Sequence, residues 1–293
     1  MGFRMAEEVV KGRLISENGQ TFLLGADGRR YLDSEPIWAG YVKHWLGRRV
    51  RARHLPQGDY ETGRPMVIMW PDEEPVERPH VALYYNERLR KYPASLLGHI
   101  AINVNGEVFN FSHLINENEV MTPEEYFYRP ALGEFAPHPL LGRYHVAEDG
   151  RAYLDKFGRL FMRSVHVLQV EGLPADRLSR FYHHEMECIL NTPCDPGNPG
   201  KYPGFNLFTR NCTTIIRDGL RKVGLPMIKG IFPRDLFIST VHHLLKDERA
   251  SSIKTRLFRM KQLNVPEAPK SAVPWPVNPI NLLRLRRLPP DYP

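Results

Sequence analysis

Over roughly the first 70 residues apolar and polar positions alternate in short bursts, and each burst ends in turn chemistry. The pattern predicts strands over 9–15, 21–24 and 30–32, separated by Glu17-Asn18-Gly19 and Ala26-Asp27-Gly28. Asn-Gly and Asp-Gly adopt the positive φ that tight hairpin turns require. Two more strands, 49–54 and 65–69, flank the turn-rich Pro56-Gln57-Gly58-Asp59, so residues 1–70 read as a small β-barrel of SH3-like or OB-like size. Trp38, Tyr41 and Trp45 are its binding face, or they form its core or dock it on the next domain.

Proline-bracketed, acidic residues 71–79 read as a stiff linker, and a second domain is expected over 80–262. It opens with a strand over 80–85 and a short basic stretch. The run Gly98-His99-Ile100-Ala101-Ile102-Asn103-Val104 then reads as a strand that Asn105-Gly106 turns into a partner, Glu107-Val108-Phe109-Asn110-Phe111. Further strands are expected over 142–146, 151–154 and 164–171.

From there the apolar spacing becomes helical. Asp176 reads as the cap of a helix reaching about 190, with Leu178, Phe181, Tyr182, Met186 and Ile189 on one face. A glycine- and proline-rich loop, 193–203, precedes a second helix that carries Ile215, Ile216, Leu220 and Val223 and stops at Gly224 and Pro226. Pro233-Arg234-Asp235 begins a third, over 236–245. Residues 263–293 form a proline-rich, basic tail. Its Leu282-Leu283-Arg284-Leu285-Arg286-Arg287-Leu288 binds an anionic surface, docks on the barrel or packs as an arm across its own domain.

A chain of 293 residues is long enough for one large domain or two modest ones. The net charge of +7 is spread along the chain, which suits anionic neighbours without selecting one, and no specific nucleic-acid binding is expected. Three cysteines, Cys188, Cys194 and Cys212, with no C-x-x-C pair, offer neither a disulfide framework nor a zinc-ribbon spacing. The first residues lack the apolar core of a secretory signal, and no stretch approaches a membrane span. Synthesis as a soluble cytoplasmic protein is the expectation, with any export left to a dedicated secretion system.

The chemistry concentrates in two places. His99 opens an apolar strand, which holds an imidazole rigidly. Cys212 opens an amphipathic helix, where the helix N-terminus and a nearby imidazolium would favour the thiolate. Across the two-residue turn Asn110 lands near Ile100 or Ile102, where its amide oxygen could accept from the imidazole and fix its tautomer. Asn211 reads as the N-cap of the Cys212 helix. His184 and Cys188, four apart on one helix, fail the last position of the His-Glu-x-x-His pattern and read as a solvated face with a buried thiol.

Leu97-Gly98-His99-Ile100-Ala101-Ile102, the hairpin to Asn110, Gly172-Leu173-Pro174 and Asn211-Cys212-Thr213-Thr214 together resemble the circularly permuted NlpC/P60 papain-like superfamily. That group includes bacterial thiol-peptidase-like and lecithin:retinol acyltransferase-like enzymes. The resemblance spans roughly residues 80 to 245. It implies an α+β fold, with an antiparallel sheet and a helix carrying the nucleophile, preceded here by the β-barrel. Residue by residue it implies Cys212 as nucleophile, His99 as general base and Asn110 as the group orienting the base. His113 would take Asn110's place if the hairpin register differs.

The expected function is a cysteine hydrolase of amide or peptide bonds that needs no cofactor or metal. Peptidoglycan is the leading substrate, and a cell-wall peptidase or secreted antibacterial effector with an immunity or secretion partner the leading setting. The alternatives are a thiol acyltransferase or phospholipase acting on acyl-containing, anionic lipid, and a non-catalytic binding module. An activated Cys212 is expected to react with electrophiles ahead of Cys188 and Cys194.

Overall fold

The computed structural model describes residues 8–33, 39–58, 65–73, 80–90, 96–112, 117–129, 160, 163–193, 204–247, 253–263, 270–286 and 288. The chain packs as two units. One takes in Met1–Val76, Glu124–Phe161 and Asn264–Ala268; the other takes in Glu77–Pro123, Met162–Leu263 and Pro269–Pro293. Both are mixed α+β with antiparallel sheets. Among the described residues no helix is long and apolar enough to cross a membrane.

The first unit holds strands β1 (Val10–Glu17), β2 (Gln20–Leu24), β3 (Arg30–Tyr31), β4 (Arg49–Gly58) and β5 (Pro65–Pro71), and helix α1 (Ala39–Trp45). The sheet order is β3-β2-β1-β4-β5. Asn18 and Gly19, with φ of 52° and 78°, make the tight β1–β2 turn that Asn-Gly favours. Among the described residues β3 does not pair with β5, so these strands do not themselves close into the expected barrel. Trp45 is buried and its ring meets that of Tyr128 edge-on at 5.6 Å, a core role; Trp38 lies outside the described residues. Tyr128 belongs to helix α2 (Pro123–Tyr128), which also supplies Glu125, the buried carboxylate paired with the buried Arg53 guanidinium.

The second unit is built on a six-stranded antiparallel sheet of order β10-β9-β8-β6-β11-β12. Its strands are β6 (Val81–Asn86), β8 (His99–Val104), β9 (Glu107–Ser112), β10 (Glu117–Met121), β11 (Val165–Glu171) and β12 (Lys254–Met260). A separate pair joins β7 (Arg88–Leu89) to β13 (Ser271–Ala272) in the tail. The strands expected over 142–146 and 151–154 lie outside the described residues.

Alternation decides which side chains face the helices. Leu83 and Tyr85 of β6, Ile100 and Ile102 of β8, Phe109 and Phe111 of β9, and Leu168 of β11 form one apolar face. Helix α3 (Ala175–Leu190) lays Leu178, Tyr182, Met186 and Ile189 on that core at helical spacing. Helix α4 (Cys212–Lys222) adds Ile215, Ile216 and Leu220; helix α5 (Pro233–Asp247) adds Leu236, Phe237 and Val241. Each such side chain contributes about 1.5–3 kcal/mol on burial, so the sheet and three helices form one cooperative body. At the α3–α4 crossing the Tyr182 hydroxyl donates to the Ile216 carbonyl at 2.8 Å, and a Cβ at Gly219 would lie 2.5 Å from the Tyr182 ring.

The tail is no free arm. Helix α6 (Pro279–Leu285) is capped by the Asn278 side chain, which accepts from the Ile280 amide. Asp235 accepts from the Val277 and Asn278 amides at 2.9 and 3.0 Å. The expected cap of α3 differs too: Pro174 occupies the N-cap without a side-chain hydrogen bond, and Asp176 lies in the first turn.

Candidate active site

Gly98 sets the position of His99. Its φ is +73°, and a Cβ there would lie 2.4 Å from the Asn86 carbonyl oxygen, so a side chain at 98 would push the start of β8 off β6. From His99 onward the backbone is extended and paired, with His99 opposite Asn86 and Ile100 opposite Tyr85.

The β8–β9 hairpin turns at Asn105 and Gly106, φ 52° and 93°, and pairs Val104 with Glu107, Asn103 with Val108 and Ile102 with Phe109. The Asn103 side chain closes the turn, accepting from the Gly106 amide at 2.8 Å and donating to the Tyr84 hydroxyl at 2.8 Å. Continued one step past Ile102 and Phe109, this register sets Asn110 beside Ala101, and its Oδ1 lies 2.7 Å from His99 Nε2. The amide oxygen only accepts, so Nε2 carries the proton of this bond and Nδ1 is the nitrogen that takes one up. Asn110 is fully buried while His99 is half-buried. His113 lies outside the described residues.

Cys212 is the first residue of α4, and Asn211 caps it as its sequence suggests. Asn211 Oδ1 accepts from the Thr213 and Thr214 amides at 2.8 and 2.9 Å, and Thr214 Oγ1 accepts from the Asn211 amide at 2.9 Å. This closed capping box holds the helix start. Asn211 Nδ2 also donates to the Ile231 carbonyl at 3.2 Å, tying the start of α4 to the 230–232 loop.

The electrostatics of Cys212 correct one expectation. Burial pushes its thiol above the ordinary cysteine range; the Thr213 hydroxyl and the amides of Ile100, Thr213 and Cys212 pull the other way and do not overcome it. The resting thiol is therefore protonated at neutral pH. Cys212 packs against the core cluster that holds Ile100, the residue next to His99, and the Ile100 amide is among the groups that favour the thiolate. Alternation sets His99 in phase with Ala101, on the face opposite Ile100, whereas Cys212 packs with the helix-side core. The β8–β9 ladder ends at Ile102 and Phe109, so His99, Ile100 and Asn110 lie beyond its last pair.

Other polar groups stand apart. At the same end of the sheet Glu87 and His166 are both fully buried, with His166 Nε2 2.9 Å from Glu87 Oε1. Arg259 donates to that oxygen at 2.5 Å and Ser271 to Glu87 Oε2 at 3.0 Å. Burial lowers the His166 pKa against the pull of Glu87. Burial raises that of Glu87, but His166 and Arg259 outweigh it and hold the carboxyl below its ordinary range. This network was missed because its members lie 79 and 172 residues apart and no local pattern marks them. Cys188 is exposed, not buried as its helix position suggested, with Sγ 3.7 Å from His184 Nε2. Cys194 lies outside the described residues. A surface cavity is lined by Gly230, Ile231, Phe232, Asp235, Val277 and Asn278; His99, Asn110 and Cys212 are not among its walls. Among the described residues no three His, Cys, Asp or Glu side chains cluster to hold a metal ion.

Comparison of the chain with family models, curated proteins and solved structures returned no match.

Proposed function

We propose that the second unit is a cysteine hydrolase of the permuted NlpC/P60 papain-like kind, cleaving amide or peptide bonds through Cys212, His99 and Asn110. The observation that carries this reading is the 2.7 Å contact between His99 and the fully buried Asn110. A buried asparagine is costly unless its amide is used, and here it fixes the tautomer of a half-buried imidazole.

In this reading the Cys212 proton reaches His99 Nδ1 by a relay around the start of β8, because alternation sets the two side chains on opposite faces of the strand, and the thiolate attacks the carbonyl carbon. The tetrahedral oxyanion is met by backbone amides at the start of α4, with the Ile100 amide as the second donor. His99 returns the proton to the departing amine, and the thioester remains on Cys212. Water, deprotonated by His99, then attacks the thioester and releases the acid and the free thiol. Because the resting thiol is protonated, proton transfer accompanies attack and no standing thiolate–imidazolium pair precedes it.

A second reading, acyl transfer or ester cleavage on lipid, draws on Leu207 and Phe208, which are 44% and 58% exposed and lie just before Asn211. Wild-type and Cys212→Ala protein incubated with purified peptidoglycan and with phospholipid vesicles, with products analysed by mass spectrometry, separates the two. Peptide-bond products that vanish in the variant support the first reading, and fatty-acid products the second. Products unchanged by the substitution, or none from either substrate, would leave the unit a binding module.

A further inference from the structure

We infer that the tail segment Trp275–Leu283 is a docking strip for a bilayer surface rich in anionic phospholipid. Five of the exposed large apolar side chains of the described residues fall in this short stretch: Trp275, Val277, Ile280, Leu282 and Leu283. Two periodicities turn four of them outward. In the extended part Pro274 and Pro276 are buried while Trp275 and Val277 are 81% and 56% exposed. In α6 Asn281 is fully buried while Ile280 and Leu283, one turn apart, are 56% and 60% exposed.

The strip is held rigidly although it lies open. Asp235, itself 2% exposed, accepts from the Val277 and Asn278 amides and from Asn281 Nδ2 at 2.7 Å. Arg234 donates to the Pro274 carbonyl, and Arg284 to Ser239 Oγ at 3.1 Å. Polar side chains that anchor a strand of apolar ones outward have already met the ordering cost of an interface. Internal packing does not explain the strip, because its inward positions are filled by other residues.

Charge selects the occupant. Residues 270–288 contain four basic residues and no acidic one. Arg286 follows Leu283 by one turn and is exposed. Ser239, which receives Arg284, also accepts from the Lys229 amide at 2.9 Å, so the loop carrying exposed Met227 and Lys229 borders α6. A tryptophan and aliphatic residues flanked by lysine and arginine match the acyl–headgroup boundary of an anionic membrane. The same loop continues to Ile231, which receives Asn211, the residue before Cys212.

Docking is independent of the thiol chemistry proposed above. In co-sedimentation the full chain should bind phosphatidylglycerol-containing vesicles and bind pure phosphatidylcholine weakly, with salt reducing the binding. Trp275→Ser combined with Leu283→Ser should weaken it by roughly tenfold or more while leaving the thermal unfolding transition in place. Cys212→Ala should bind like wild type, whatever that variant does to catalysis. Absence of binding to anionic vesicles, or binding unchanged by the double substitution, overturns the inference. So does a concentration-dependent dimer that the double substitution abolishes, since a second copy would then be the occupant.

Discussion

His99 Nε2 and Asn110 Oδ1 lie 2.7 Å apart across the first turn-linked pair of strands in the second unit. The asparagine is buried and the histidine half-buried, so the amide acts on the imidazole and solvent does not compete for it. Everything proposed for catalysis depends on that orientation. Replacing Asn110 with alanine should cost about 10–100-fold in kcat with KM nearly unchanged, by analogy with the loss of other orienting partners. Asn110→Asp keeps an acceptor and adds a charge that favours the imidazolium, so it should move the basic-histidine limb of the pH–rate profile upward. A pH–rate series on the three proteins checks both, and identical profiles would remove Asn110 from the site.

Thiol labelling should follow exposure in the resting protein, reversing the order expected from a helix-start cysteine. Cys188 is exposed, whereas burial holds the Cys212 thiol above its ordinary pKa. At neutral pH a small electrophile should therefore modify Cys188 first. The Cys212 rate should climb as pH rises through and beyond the usual thiol range, because only the thiolate reacts. Peptide mapping after timed alkylation at several pH values reads this directly; fast Cys212 labelling at pH 7 would contradict the burial argument.

Gly98 should tolerate no side chain. With φ at +73° and the Asn86 carbonyl 2.4 Å from a virtual Cβ, Gly98→Ala both strains the backbone and separates β8 from β6. A loss of about 1–3 kcal/mol in unfolding free energy is expected, with the proposed hydrolase activity falling further than stability because His99 is the next residue. Denaturant unfolding paired with activity measurements tests the two parts separately.

Acid should destabilise the second unit in two steps. The His166 pKa is lowered from 6.5, so its contribution is fully present above about that pH and fades as pH falls through the lowered value. The Glu87 carboxyl is lowered from 4.5, and its contribution is lost in the same direction at lower pH. Thermal unfolding scanned from pH 8 downward should show Tm level above pH 7 and falling below it. Glu87→Gln breaks a buried pair, and about 3–5 kcal/mol should be lost at pH 7. Its remaining acid dependence should lack the lower step.

Legibility in the sequence followed the range of the interaction. The hairpins at Asn18-Gly19 and Asn105-Gly106, the helices over Ala175–Leu190 and Cys212–Lys222, and the Asn211 cap all rest on contacts within a few residues, and all were readable. Strand β12 was not, although it pairs along all of β11, because its polar and charged residues hide the period-2 signal of an edge strand. Helix α2 was equally silent, since Glu125 is buried only through Arg53, 72 residues away. Cys188 followed from its helix, but its exposure did not.

By itself the sequence determined the Asn105-Gly106 hairpin that brings Asn110 toward His99, while the register, with Ile102 opposite Phe109, came from the folded strands. It likewise determined that Cys212 starts a capped helix. Only the tertiary structure decided the state of that cysteine. A helix terminus favours the thiolate through local dipoles, but packing against the sheet leaves Cys212 only partly exposed, and the desolvation of a full charge outweighs partial ones. The thiol and the imidazole belong to elements more than 100 residues apart. It is packing of α4 on the sheet that brings Cys212 onto the core that holds Ile100, the residue after His99.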